Sequence, residues 1–229
     1  MKKLIVNADD FGYTTGVNAG IIQAHLKGIV TSTSLMVYGR AAAEAKDLSK
    51  YSKLSLGLHF QITSEGLRAD LSKYLILPFL SVKKIKKEFD EQVNEFMSIV
   101  GMAPDHLDSH HHVHLRQNVR PVFEDYSKKH KIPVRGFNGV NFMDDFFGWN
   151  SLRISDPSKI STDFLLKILS ELKDGTSEIM CHPGISDSEL RKISKYSDER
   201  SGELKTLTSP KIIEFVKKTK ILLINWKDI

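Results

Sequence analysis

Apolar positions along the chain switch between strand-like and helical periods, and the switches lay out its elements. Residues 2–8 form a short aliphatic run that stops at Asn7 and predicts a first strand. Val17, Ile21, Ile22 and Leu26 then recur at helical spacing, predicting a helix over 17–27 that Gly28 ends. The exchange repeats, with strands expected over 29–37, 54–60, 106–110, 133–136, 178–181 and 221–226. Between them fall helices over 41–48, 81–100, 118–130, 159–173 and 201–217. The most strongly patterned is 81–100, with Ser81 as cap, Ile85, Phe89, Val93 and Phe96 in its stripe, and Gly101 as its stop. Residues 61–80 and 137–157 have no period and read as loop insertions; the second is rich in Gly, Asn, Asp and aromatics, a composition suited to a lid or a sugar platform.

Strands alternating with helices imply an α/β fold with a mainly parallel sheet. About six such units with polar residues at successive strand ends favour an irregular or incomplete (β/α) barrel over an open sheet. No linker rich in Pro, Gly or Ser divides the chain, so residues 1–229 are expected to form one catalytic domain. The first strand is not followed by Gly-x-Gly-x-x-Gly, and no Walker loop occurs, so nucleotide binding has no support.

Composition narrows the classes further. Hydrophobic residues at 41% and charged residues at 27% suit a chain that buries a sizeable core. No run of eighteen apolar residues predicts a membrane span. Two lysines precede only three apolar residues at the start, so a strand is expected there rather than a signal peptide. The lone Cys181 excludes an internal disulfide and fits a cytoplasmic location. The charge of +5 permits nucleic-acid contact, but the lysines are scattered without a stacking platform, and the run at 83–87 reads as a solvated helix face. No nucleic-acid partner is expected; exposed apolar loop residues permit a homodimer.

The chemistry concentrates in one stretch, 106–114, which holds five of the nine histidines together with Asp108. Read as a strand, it sends Asp108, His110, His112 and His114 to one face. Imidazole and carboxylate are ligands for divalent metals, and so dense a cluster points to a metal or catalytic site. Asp9 and Asp10 close the first strand, where two adjacent acids repel unless a cation or a proton lies between them; a turn or helix cap is the plainer reading. His59 ends the third strand, Arg135 the fifth and His182 the sixth, and parallel strand ends converge on one mouth. Two histidines and a carboxylate leave metal positions open for water and substrate, with one aspartate spare as base and His182 as acid. That division of labour fits a metal-dependent hydrolase without naming the bond.

The segments Asn7-Ala8-Asp9-Asp10-Phe11-Gly12, Gly57-Leu58-His59-Phe60, His106 to His114 and Cys181-His182-Pro183-Gly184, in that order, resemble the YdjC-like carbohydrate (chitooligosaccharide) deacetylases. The stretch from Arg200 to Pro210 is also similar to that family's. The resemblance implies a barrel related to the polysaccharide deacetylases, and removal of N-acetyl groups from N-acetylglucosamine units of short chitin-type sugars. It implies a divalent metal, described as magnesium, on Asp10, His59 and His110, with Asp9 as general base and His182 as general acid. Arg135 would orient Asp9 or the substrate; Asp108, His112 and His114 would back the ligands or face the sugar. Strict alternation puts Asp9 and Asp10 on opposite faces, so both serve only if the strand breaks near Phe11-Gly12, and their roles are exchangeable. Two imidazoles make zinc or another transition metal chemically reasonable too. The basic balance favours an anionic, phosphorylated sugar. A metal-dependent phosphoesterase and a non-catalytic metal or sugar binder are the competing readings.

Overall fold

The computed structural model describes residues 1–62, 80–137 and 139–229, so most of the 61–80 insertion lies outside the described residues. Seven strands are described: β1 (Lys2–Phe11), β2 (Ser32–Leu35), β3 (Ser55–Phe60), β4 (Leu107–Ser109), β5 (Asn141–Met143), β6 (Gly175–Cys181) and β7 (Leu222–Leu223). The helices are α1 (Thr15–Lys27), α2 (Val82–Val100), α3 (Arg120–His130), α4 (Thr162–Glu171), α5 (Ser188–Ile193), α6 (Asp198–Leu207) and α7 (Pro210–Lys218).

The sheet runs β4-β3-β2-β1-β6-β5, and these neighbours pair in parallel. One edge of β1 takes β6 along Lys2–Ala8. The other edge is shared, by β7 at Lys3 and Leu4 and by β2 from Asn7 onward. A parallel bridge from Leu107 to Val134 extends the sheet past β4. Among the described residues no pairing joins that end to β5, so the curled sheet stays an incomplete barrel. Leu4, Ile5 and Val6 are fully buried in succession, as expected of a strand covered on both faces. One core cluster holds sheet and helices together, and Trp226 stacks on the His106 ring at 5.0 Å below the mouth.

Local chemistry accounts for the helix ends. Ser81 caps α2 through a bond from the Lys84 amide, and Gly101 closes it in the left-handed region. Where the structure departs from the sequence pattern, the reason is local. The expected 201–217 helix is two helices, because Pro210 cannot continue α6 and instead starts α7. The 41–48 helix is a 3-10 segment, Ala42–Lys50. The expected strand over 133–136 shrinks to the bridge at Val134, next to a proline that lacks a ladder donor. The final strand is only Leu222–Leu223 before the chain turns at Trp226–Asp228. The 137–157 segment, expected as a loop, contributes β5, which pairs Phe142 with Glu178. Among the described residues no helix is long and apolar enough to cross a membrane.

Candidate active site

β1 ends in a bulge. Its register with β2 shifts between Ala8 and Phe11, and Asp10 has φ of 69°, a left-handed conformation that aspartate tolerates better than most residues. The break brings two carboxylates that strict alternation would separate into one buried site. Each then finds its own guanidinium. Arg135 Nη1 and Nη2 donate to Asp9 at 2.7 and 2.6 Å, and Arg200 Nη2 donates to Asp10 Oδ2 at 2.5 Å. The repulsion expected between adjacent acids is thus relieved by two arginines from distant elements.

The free oxygen of Asp10 faces the histidines. Asp10 Oδ1 lies 3.2 Å from His59 Nε2 and 3.3 Å from His110 Nδ1, and those two nitrogens are 3.4 Å apart. No aligned hydrogen bond reaches Asp10 Oδ1, although the atom is buried. One carboxylate oxygen and two ring nitrogens aimed at one another are what a divalent cation would hold together. Behind them, His59 Nδ1 donates to Asp108 Oδ1 at 2.7 Å, which orients the ring and aims Nε2 at Asp10, where a bound cation would replace its proton. Burial lowers the His59 imidazole, but Asp108 and Asp10 outweigh it and carry it up to about 10. A second group, Asp9, His59 and Asp108, also lies close enough to share an ion, yet Arg135 already bridges its two carboxylates.

Asp9, Asp10, Asp108, Glu178 and Glu203 are buried around two buried arginines. Burial opposes ionisation of all five acids. Against it, Arg135 holds Asp9 and Asp108 below their ordinary range, and Arg200 holds Asp10 well below it. Glu178, bonded to Arg135 Nε at 2.8 Å, is nevertheless pushed up by burial to about 7, and Glu203 to about 8. With both glutamates pushed toward their neutral forms and His59 carried up, Arg135, Arg200 and His59 roughly match the three aspartates, so a dication would take the place of the His59 proton rather than fill a deficit.

The histidine stretch does not continue as a strand. β4 stops at Ser109, and His110–Leu115 turns with both His111 and His112 at φ of 55°. The expected single face of Asp108, His110, His112 and His114 is therefore broken. His114 is taken up in scaffolding, its Nδ1 2.6 Å from Ser109 Oγ and its Nε2 3.1 Å from the Arg135 carbonyl. His112 packs its ring 5.0 Å from Phe142, and its buried Nδ1 has no hydrogen-bond partner.

His182 leaves β6 with its amide donating to Glu203 Oε2 at 2.5 Å and its Nδ1 3.9 Å from Glu203 Oε1. Burial pushes this imidazole down to about 3. The Tyr196 hydroxyl donates to Glu203 Oε1 and accepts from the Gly148 amide at 2.7 Å. Arg200, Glu203, Tyr196 and Glu178 have no role in the sequence reading. The usable signal was Arg200 and Glu203, three apart and hence on one helical face beside Leu204 and Leu207.

Comparison with known proteins places this geometry. The model of the family described as YdjC-like protein matches residues 3–218. A protein named carbohydrate deacetylase from Clostridium beijerinckii is 34% identical over 253 residues, covering 99% of this chain and all of its own length. A crystal structure of a candidate cellobiose-phosphate cleavage protein from Enterococcus faecalis V583 is similar at a TM-score of 0.85 and 28% identity, covering 99% of this chain and 98% of that one. A family 4 carbohydrate esterase from Streptomyces lividans, in complex with acetate, shares the fold at a TM-score of 0.58 and 12% identity, covering 98% and 91% of the two chains. By the span of the family match and the identity along nearly the whole length, the chain belongs to the YdjC-like protein family.

Proposed function

We propose that the chain is a metal-dependent carbohydrate N-deacetylase acting on N-acetylglucosamine units of short chitin-type sugars. The observation that carries this reading is the convergence of Asp10 Oδ1, His59 Nε2 and His110 Nδ1 within 3.2–3.4 Å, with Asp9 and His182 beside them outside that set. Those three residues would hold a divalent cation, which supplies Lewis-acid polarisation of the acetyl carbonyl and a lowered pKa for water. The nitrogen ligands suit zinc or another transition metal, while magnesium remains the family's expectation.

The chain's own residues divide the rest of the work. Asp9, kept ionised by Arg135 and steadied by Asn7 Nδ2 at 2.8 Å, removes the proton from the attacking water. Asp108 sets the His59 tautomer. His182 is the acid for the departing sugar nitrogen; burial keeps it neutral in the resting site, so the proton it delivers is the one Asp9 takes from the attacking water. The test is acetate release from diacetylchitobiose by the intact chain, before and after chelation and after metal return. No acetate from any acetylated mono- or disaccharide, phosphorylated or not, after metal return would sink the reading.

A phosphoesterase on the same barrel is the second reading, since barrels with histidine clusters also cleave phosphoesters, and the similar Enterococcus faecalis protein is named for cleavage of a phosphorylated disaccharide. It requires phosphate release from a sugar phosphate with no acetate formed, so the same assay separates the two.

A further inference from the structure

Resting on the deacetylase reading, we infer that Phe147 is the floor of a second sugar subsite, taking the apolar C–H face of the pyranose ring next to the one being deacetylated. The catalytic steps above make no use of this residue. Its ring lies flat on Tyr196, with centroids 4.6 Å apart and planes 10° from parallel, and sits 5.4 Å from the His182 ring. A moiety resting on Phe147 is therefore an immediate neighbour of the residue assigned to protonate the leaving nitrogen.

The support beneath the ring is over-determined for ordinary packing. Tyr196 is only 6% exposed, and its hydroxyl is pinned between the Gly148 amide and Glu203. Gly148 itself packs closely, since a Cβ there would stand 3.0 Å from Glu199 Cγ. Trp149 closes the side, edge-on to Phe147 at 6.3 Å and tied to Glu199 Oε1 through its indole N–H at 3.0 Å. Phe147 nonetheless stays partly exposed, unlike the Tyr196 ring it lies on. A flat, rigid, partly wet aromatic beside a general acid matches a sugar ring, which carries an apolar face and a hydroxyl rim.

The test compares Phe147→Leu, which keeps apolar bulk, with Phe147→Tyr, which keeps the flat ring. The readout is the ratio of kcat/KM for diacetylchitobiose to kcat/KM for N-acetylglucosamine. The expected result is a ratio about tenfold lower in Phe147→Leu, the effect of ~1.4 kcal/mol of lost contact, and restored in Phe147→Tyr. A residue that merely props His182 would lower both substrates alike and leave the ratio unchanged, which overturns the proposal; so does a ratio that falls equally in the two variants. Direct titration of diacetylchitobiose into wild type and Phe147→Leu decides the subsite apart from turnover. If the wild type releases no acetate yet binds the disaccharide about tenfold more tightly than Phe147→Leu, the reaction assignment fails and the subsite stands. Equal affinity in the two overturns it.

Discussion

Replacing Arg135 by Met tests whether the buried charge cluster is held together as its geometry indicates. The guanidinium is fully buried and meets Asp9 at 2.7 and 2.6 Å, Asp108 at 2.9 Å and Glu178 at 2.8 Å. Methionine keeps much of the volume but leaves three buried carboxylates without that cation. Breaking a buried ion pair in this way costs roughly 3–5 kcal/mol at neutral pH, against a total stability of roughly 5–15. For a chain of this size each kcal/mol moves the midpoint by roughly 2–4 °C, so the variant should melt ~6–20 °C lower.

The loss carries a pH signature. In the wild type, burial raises Asp9 and Asp108, but Arg135 and His59 together more than reverse it, so both sit below the ordinary 3.8. Their stabilisation is present above the unfolded pKa and fades as pH falls through the lowered folded values. Without Arg135, burial and mutual repulsion raise all three acids above their unfolded values. An acid raised in that way stabilises fully below its unfolded pKa and loses the effect as pH rises through its folded one. Arg135→Met should therefore be nearest the wild type at about pH 5 and furthest from it at about pH 8. Arg135→Lys, which keeps charge but loses the fork, should fall between. Thermal melts followed by circular dichroism in chelator, across that range, measure this. A deficit below about 1 kcal/mol, or one that fails to grow with pH, would refute the reasoning.

Three further outcomes follow from the same geometry. Asp108→Asn removes the charge behind His59 and should weaken divalent-cation binding by about 10- to 100-fold in calorimetric titration, where unchanged affinity would contradict the backing role. Asp9→Asn should lower acetate release by roughly 10²–10⁴ while cation affinity moves little. If affinity collapses with it, Asp9 is a ligand and not the base. Gly57→Ala would place a Cβ 2.4 Å from His106 Cε1 within β3, and overpacking of this kind costs about 1–3 kcal/mol. An unchanged melting midpoint would mean the His106–Trp226 stack yields more easily than its burial implies.

The barrel and the strand-end side chains that converge at its mouth were legible because both follow from short-range rules. Strand ends deliver His59 and His182 wherever the parallel sheet goes, and β-strand periodicity locates them from sequence. Asp10 was legible as a residue but not as a geometry. Its use depends on a left-handed backbone, which the following Phe11-Gly12 only hints at. The histidine stretch misled for the same reason: alternation holds to Asp108 and fails at His111 and His112, where two consecutive residues adopt positive φ without glycine. The Arg200–Asp10 pairing was beyond reach because nothing local ties α6 to the first strand; only the assembled fold makes it.

That last pairing has a consequence for how the molecule comes into being on the ribosome. Asp9 and Asp10 are made early, yet their cationic partners follow 126 and 190 residues later. Until both emerge, a nascent chain that buried β1 would trap two unmatched negative charges, which is costly enough to keep it from compacting around that strand. Synthesis therefore favours a chain that waits, its first strand accessible to chaperones, and closes in one late cooperative step when α6 appears.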